Sequence, residues 1–124
     1  MLKVAPDFSD KERELEKVRK LETAKAAWSP RAYHQAVAIN GKIVVMGGGN
    51  YVPAHEAKND VWSSIDGKEW KLETANAPWD PRLWFSAAVY RGRIWVLGGW
   101  SKAKNNFGDV WHGCFKNFGF ITAD

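Results

Sequence analysis

Residues 21–49 read LETAKAAWSPRAYHQAVAINGKIVVMGGG, and residues 72–100 read LETANAPWDPRLWFSAAVYRGRIWVLGGW. The two stretches lie 51 positions apart and share 14 of 29 residues without a gap. Self-similarity at a period near fifty marks stacked supersecondary units, each too small to bury its apolar face alone. Any role assigned to one residue must therefore be checked against its counterpart in the other copy.

Within each copy the local signals are β. His34–Ile39 and Lys42–Met46 are rich in β-branched residues and flank Asn40-Gly41, a pair that tolerates the positive φ angles of a two-residue hairpin turn. Arg91-Gly92 repeats that turn between Ala87–Tyr90 and Arg93–Leu97. Gly47-Gly48 and Gly98-Gly99 then end the second strand of each copy, permitting a close backbone approach. A loop of unequal length follows, so that DVW recurs at a spacing of 49 rather than 51. Asp60–Ile65 and Glu69–Glu73, joined through Asp66-Gly67, complete four antiparallel strands in a meander, the unit of a propeller blade.

With GKIVVMGG, NDVW and GKEW in the first copy, and GRIWVLGG and GDVW in the second, the chain resembles the kelch repeat over 31–122. Gly47, Gly48, Gly98, Gly99, Trp62, Trp70 and Trp111 carry the motif. The implied fold is all-β: two four-stranded antiparallel kelch-type propeller blades behind a short N-terminal arm, helical or disordered. The divisions are 1–25 for the arm, 26–76 for the first repeat and 77–124 for the second, irregular at its C-terminal end. HGCFKNFGF replaces the Asp-Gly turn there, although FITAD still echoes LETAN.

The arm carries seven basic and six acidic residues, and Ser9 with Glu12 has capping-box spacing, which favours a helix over 9–20. A competing reading makes 17–23 a strand, because KLET recurs in a strand context at 71–74. The net charge of +4 is dispersed, without the basic tract of a nucleic-acid surface. No run approaches the ~20 apolar residues of a membrane span, and no secretory signal opens the chain. These features predict a soluble, cytoplasmic protein. A single cysteine, Cys114, excludes an internal disulfide and a cysteine-rich zinc site.

Arg31 and Arg82 follow Trp-x-Pro and precede the first strand of each copy. The resemblance places them on the rim of a central pocket, with Tyr33, His34, Trp84 and Phe85 beside them. Planar guanidinium donors there would suit an acidic peptide or another carboxylate. In the competing reading each arginine pairs with an acid of its own repeat. Trp28, Trp79, Trp62 and Trp111 recur and belong to packing between blades, whereas Trp84, Trp95 and Trp100 stand in one copy and are candidates for ligand stacking. Asp60 and Asp109 precede a tryptophan in both copies and suggest a turn or backbone cap. His34, His55 and His112 lack metal-ligand spacing, so no metal and no cofactor are expected.

The reading that follows is a binding or scaffold module. Sialic-acid mutarotases also use kelch propellers, so a sugar-active enzyme with a carbohydrate ligand is the rival. Propellers have four to eight blades. The two read here are either part of a longer propeller or a self-assembling unit, three copies of which would form a six-bladed trimer.

Overall fold

The computed structural model describes residues 19–116 and 119–122, in strands joined by turns, bends and irregular segments. The first sheet contains β1 (Gln35–Ile39), β2 (Lys42–Gly49), β3 (Ala57–Ser64) and β4 (Lys71–Thr74) in spatial order β1-β2-β3-β4. The second contains β5 (Ser86–Tyr90), β6 (Arg93–Leu97), β9 (Val110–Lys116) and β10 (Gly119–Thr122) in order β5-β6-β9-β10. A small ribbon, β7 (Trp100–Ser101) with β8 (Asn105–Asn106), interrupts the second unit. The predicted pair of four-stranded meanders is therefore the observed architecture. Among the described residues there is no helix, and none long and apolar enough to cross a membrane.

The turn chemistry explains both inner hairpins. Asn40 and Gly41 sit at φ 53° and 72°, and Arg91 and Gly92 at 53° and 71°, so both central residues have the positive φ of a type I′ connection. Register then follows, with Ile39 opposite Lys42 and Tyr90 opposite Arg93. The Asp66-Gly67 connection is longer than the hairpin turn expected between Ile65 and Glu69. Residues 65–70 form a longer loop, in which the Asp66 carboxylate accepts the N–H groups of Lys68 and Glu69. A side chain that binds the backbone two and three residues ahead can hold such a loop without a ladder.

The double glycines do not end both strands alike. β6 stops at Leu97, but β2 continues to Gly49 through an irregularity between Met46 and Gly48, because Gly48 and Gly49 still pair with Lys58 and Ala57. At Gly48 the backbone of the segment entering β1 approaches so closely that a Cβ would lie 2.5 Å from the Ala32 carbonyl oxygen. Glycine is required there by contact as well as by its φ of 76°.

The helix expected over 9–20 falls mostly outside the described residues. Residues 19–23 are described and form no strand, in contrast to the identical KLET of β4. β4 owes its form to pairing with β3; the earlier KLET has no such ladder among the described residues. Sequence identity does not confer strand structure without a neighbour to hydrogen-bond.

The core lies between the blades. Val44, Met46 and Val61 of the first meet Ala77, Trp79, Phe85, Ile94 and Val96 of the second. Polar contacts tie the same seam: Asn59 Nδ2 donates to the carbonyls of Ala77 (3.0 Å) and Trp79 (2.9 Å), and Ala77 N–H returns a bond to the Asn59 carbonyl (2.8 Å). Gly48 N–H donates to the Arg82 carbonyl at 3.1 Å, and Trp84 N–H to that of Tyr33 at 3.2 Å.

Candidate functional site

Each arginine entering a blade is the centre of a buried triplet. Arg82 Nη1 and Nη2 donate to the two oxygens of Asp109 at 2.7 and 2.9 Å, and Trp111 Nε1 donates to the same carboxylate at 2.8 Å. Arg82 also donates to the Gly98 and Asp80 carbonyls. Arg31 repeats this with Asp60 at 2.7 and 3.0 Å, Trp62 to Asp60 at 2.9 Å, and the Gly47 and Ser29 carbonyls. The side chains of Arg31 and Arg82 are 1% and 0% exposed. A planar fork satisfied by a carboxylate and backbone carbonyls braces the entry to β1 against Gly47 of β2 and Asp60 of β3, and the entry to β5 against Gly98 just beyond β6 and Asp109 just before β9.

The carboxylates record this environment. The hydrogen bond from Arg82 is the largest influence on Asp109 and, with that from Trp111, brings its carboxyl to about 2 despite partial burial. For Asp60, burial is the largest influence and pushes upward. The hydrogen bonds from Arg31 and Trp62 and the charge of Arg31 outweigh it, so Asp60 also lies below its ordinary value. The turn-capping role expected for both aspartates is replaced by this pairing. Recurrence of Arg and Asp in the same two repeats was the signal, and the intervening 28 or so residues hid the partnership.

The exposed chemistry lies one step outward. Tyr33 and Trp84 occupy equivalent positions at φ 59° and 56°, a left-handed conformation unusual for bulky residues. The antiparallel bridges Ala32–Gly49 and Leu83–Trp100, immediately before them, hold the backbone there. Their rings meet at a tilt of 53° with centroids 4.5 Å apart, and Trp84 also meets Tyr51 at 5.0 Å and Trp100 at 5.5 Å. His55 joins through Tyr51 at 4.8 Å. Tyr33, Tyr51 and Trp84 are all exposed. This rim unites both blades and the longer loop of the first, and a cleft of about 260 Å³ lined by His55, Asp80, Lys102 and Lys104 adjoins it.

The other nominated residues separate. His34 leaves the rim and packs on Trp28 with ring centroids 6.3 Å apart; burial, then the charge of Arg31, lowers its pKa. Phe85, at the matching position, is in the core between blades. Trp95 lies against His112 at 4.6 Å, away from the rim. Trp70 donates to the Gly67 carbonyl and meets Trp28 edge-on at 5.5 Å. Among the described residues no group of His, Cys, Asp and Glu could hold a metal ion. Sequence reasoning missed Tyr51 and His55, which are brought in by the longer loop of the first copy and have no equivalent in the shorter loop of the second.

The flanks show a second kind of surface. Met46 and Val61 are 0% exposed under the second blade, while their counterparts Leu97 and Val110 are 38% and 56% exposed. On the opposite flank a cleft of about 400 Å³ opens among Glu22, Ala26, Trp28, Pro30, Gly67 and Trp70. Its counterpart position, Trp79, is buried in the seam.

The family model described as the kelch motif matches residues 30–63. The chain is also similar to the dynein alpha chain of the flagellar outer arm of Chlamydomonas reinhardtii, with 33% identity over 94 residues. That alignment covers 73% of this chain and 2% of the dynein chain, so the chain spans only about 2% of the length of that relative.

Proposed function

Since this chain belongs to the kelch-repeat family, we propose that its two blades are a protein-interaction and scaffold module whose flanks dock further propeller blades. The matched positions carry this reading: Met46 and Val61 are covered by a blade, and the equivalent Leu97 and Val110 are apolar and open. Apolar surface of this kind is characteristic of docking faces. A copy of the same chain could supply the missing contact, three copies closing a six-bladed ring, or another kelch-type blade could. Similarity to part of a flagellar dynein chain is in keeping with a role inside a larger assembly.

Light scattering across a concentration series, with wild type and Val110→Asp, tests the reading. Val110→Asp should melt within a few degrees of wild type, because the side chain faces solvent, and should abolish the weak concentration-dependent association expected of wild type. Wild type that stays monomeric to millimolar concentration, with the variant indistinguishable from it, would sink the proposal.

The aromatic rim favours a second binding surface. Arg31 and Arg82 are committed to their own aspartates, so the acidic-peptide reading shifts to Tyr33, Tyr51 and Trp84, with Lys102 in the adjoining cleft, where Lys104 already pairs with Asp80. Titration of the labelled chain with a short Glu/Pro peptide should move the Trp84 indole resonance and leave it still in Trp28. If sialic acid or galactose moves it and the peptide does not, the rim is a sugar site; if nothing moves it, the rim is not a ligand surface.

A further inference from the structure

Resting on the docking role proposed for the flanks, we infer that the flank of the first blade is built for a kelch-type blade bearing an asparagine clamp, which a second copy of this chain cannot supply. The seam inside the molecule shows what such a clamp does. Asn59 stands just before the Asp60–Trp62 motif, and its amide binds the carbonyls of Ala77 and Trp79 at 3.0 and 2.9 Å. The receiving half of this arrangement is retained on the open flank, where Ala26 and Trp28 take the places of Ala77 and Trp79. The donating half is not repeated: NDVW becomes GDVW, and Gly108 stands where Asn59 does.

Two further atoms on that flank call for polar partners. Trp28 Nε1 and His34 Nδ1 are buried without a hydrogen bond among the described residues, and Trp28 lines the cleft of about 400 Å³. Buried polar atoms without partners are costly, so a polar group entering the cleft lined by Trp28 would relieve the indole. His34 stands where the second blade has Phe85, which fills the covered seam with carbon. The open flank thus requires more polar chemistry from its occupant than the internal seam does. A blade presenting Asn at the Gly108 position answers the two carbonyls, and an acceptor on the same blade answers the indole. The second blade of this chain, opening its GDVW motif with Gly108, offers apolar Leu97 and Val110 without the clamp.

The substitution that tests this is sterically open. A Cβ at Gly108 meets nothing within 4 Å, and the residue is not among those with positive φ. Gly108→Asn should therefore turn a weakly associating chain into one whose self-association is about tenfold tighter, the worth of two added neutral hydrogen bonds. Gly108→Ala should remain like wild type. Sedimentation equilibrium on the full chain reads the dissociation constants. In a mixture of labelled wild type with unlabelled Gly108→Asn, the Trp28 indole resonance should shift. Asn59→Gly should lower the melting temperature, showing that the clamp matters where it already exists. Equal association by wild type, Gly108→Ala and Gly108→Asn overturns the clamp while leaving flank docking intact if Val110→Asp still abolishes it. An unaltered melting temperature in Asn59→Gly overturns the clamp as well.

Discussion

The two blades agree at the arginine triplet and disagree almost everywhere around it. Arg31–Asp60–Trp62 and Arg82–Asp109–Trp111 match to within 0.1 Å in each corresponding hydrogen bond. Their surroundings diverge: Trp79 is buried between blades and Trp28 borders an open cleft; Phe85 fills the seam and His34 leaves a nitrogen unpaired. Residues kept in both copies hold a blade together, while the differences record which face another blade covers. That distinction separates architecture from interaction in a chain where both are made of the same residue types.

The largest test of this comparison is the loss of an arginine. Arg82→Ala removes the partner of the Gly98 carbonyl and leaves the 39% exposed Asp109 carboxylate to water, and losing charge-assisted hydrogen bonds of this kind costs about 1.5–3 kcal/mol. Arg31→Ala should cost about the same, since its partners are equivalent. Both are expected to lower the urea midpoint, with the Lys variants intermediate because an ammonium keeps the charge but loses the fork. If Arg31→Ala leaves the midpoint unchanged, the triplets are not equivalent and the first arginine is available for a ligand after all.

A smaller effect separates the blades. Gly47 and Gly98 are both left-handed, at φ 57° and 65°, so alanine at either position carries about 1–2 kcal/mol of backbone strain. At Gly47 the new Cβ would also come within 2.8 Å of the Phe85 ring across the seam, whereas at Gly98 the nearest atom, the Phe107 carbonyl oxygen, is 3.5 Å away. Gly47→Ala should therefore be worse than Gly98→Ala by about 1 kcal/mol or more. Equal midpoints would mean that Phe85 yields freely and the seam is loosely packed.

Much of this fold was legible because its instructions are local. Asn40-Gly41 and Arg91-Gly92 announce their hairpins, and the repeat itself aligns four strands with four. What stayed hidden depends on neighbours. KLET is a strand at 71–74 and not at 20–23, since only the former has a ladder beside it. The rim was half visible: Tyr33 and Trp84 were nominated by position, but Tyr51 and His55 arrive on the longer loop of the first copy and could be found only in space. Arg31 and Arg82 were identified as a pair of equivalent residues, yet their partners lie 29 and 27 positions away, and sequence alone does not close that distance.

The smallest effect is in the pH dependence, where the two blades should titrate differently. Asp60 and Asp109 are held below the ordinary 3.8, Asp109 to about 2. A carboxyl with a depressed folded-state pKa stabilises the fold above its unfolded value, and this contribution is lost as pH falls through the folded one. Both blades should thus lose stability below about pH 4, with the loss from Asp109 continuing toward about 2. His34 adds a step that only the first blade can have, because the second has Phe85 in its place. Burial, and then the charge of Arg31, lower its pKa beneath 6.5. The unfolded chain therefore takes up a proton first, and stability declines as pH drops from about 6.5 through the folded value. Melting temperatures measured from pH 7.5 to 2.5 should fall gently below about 6.5 and more steeply below about 4. His34→Phe, which gives the first blade the residue of the second, should flatten the upper limb and leave the lower one in place. An upper limb of unchanged slope in that variant would show that His34 does not set it, and would remove His34 from the differences between the blades.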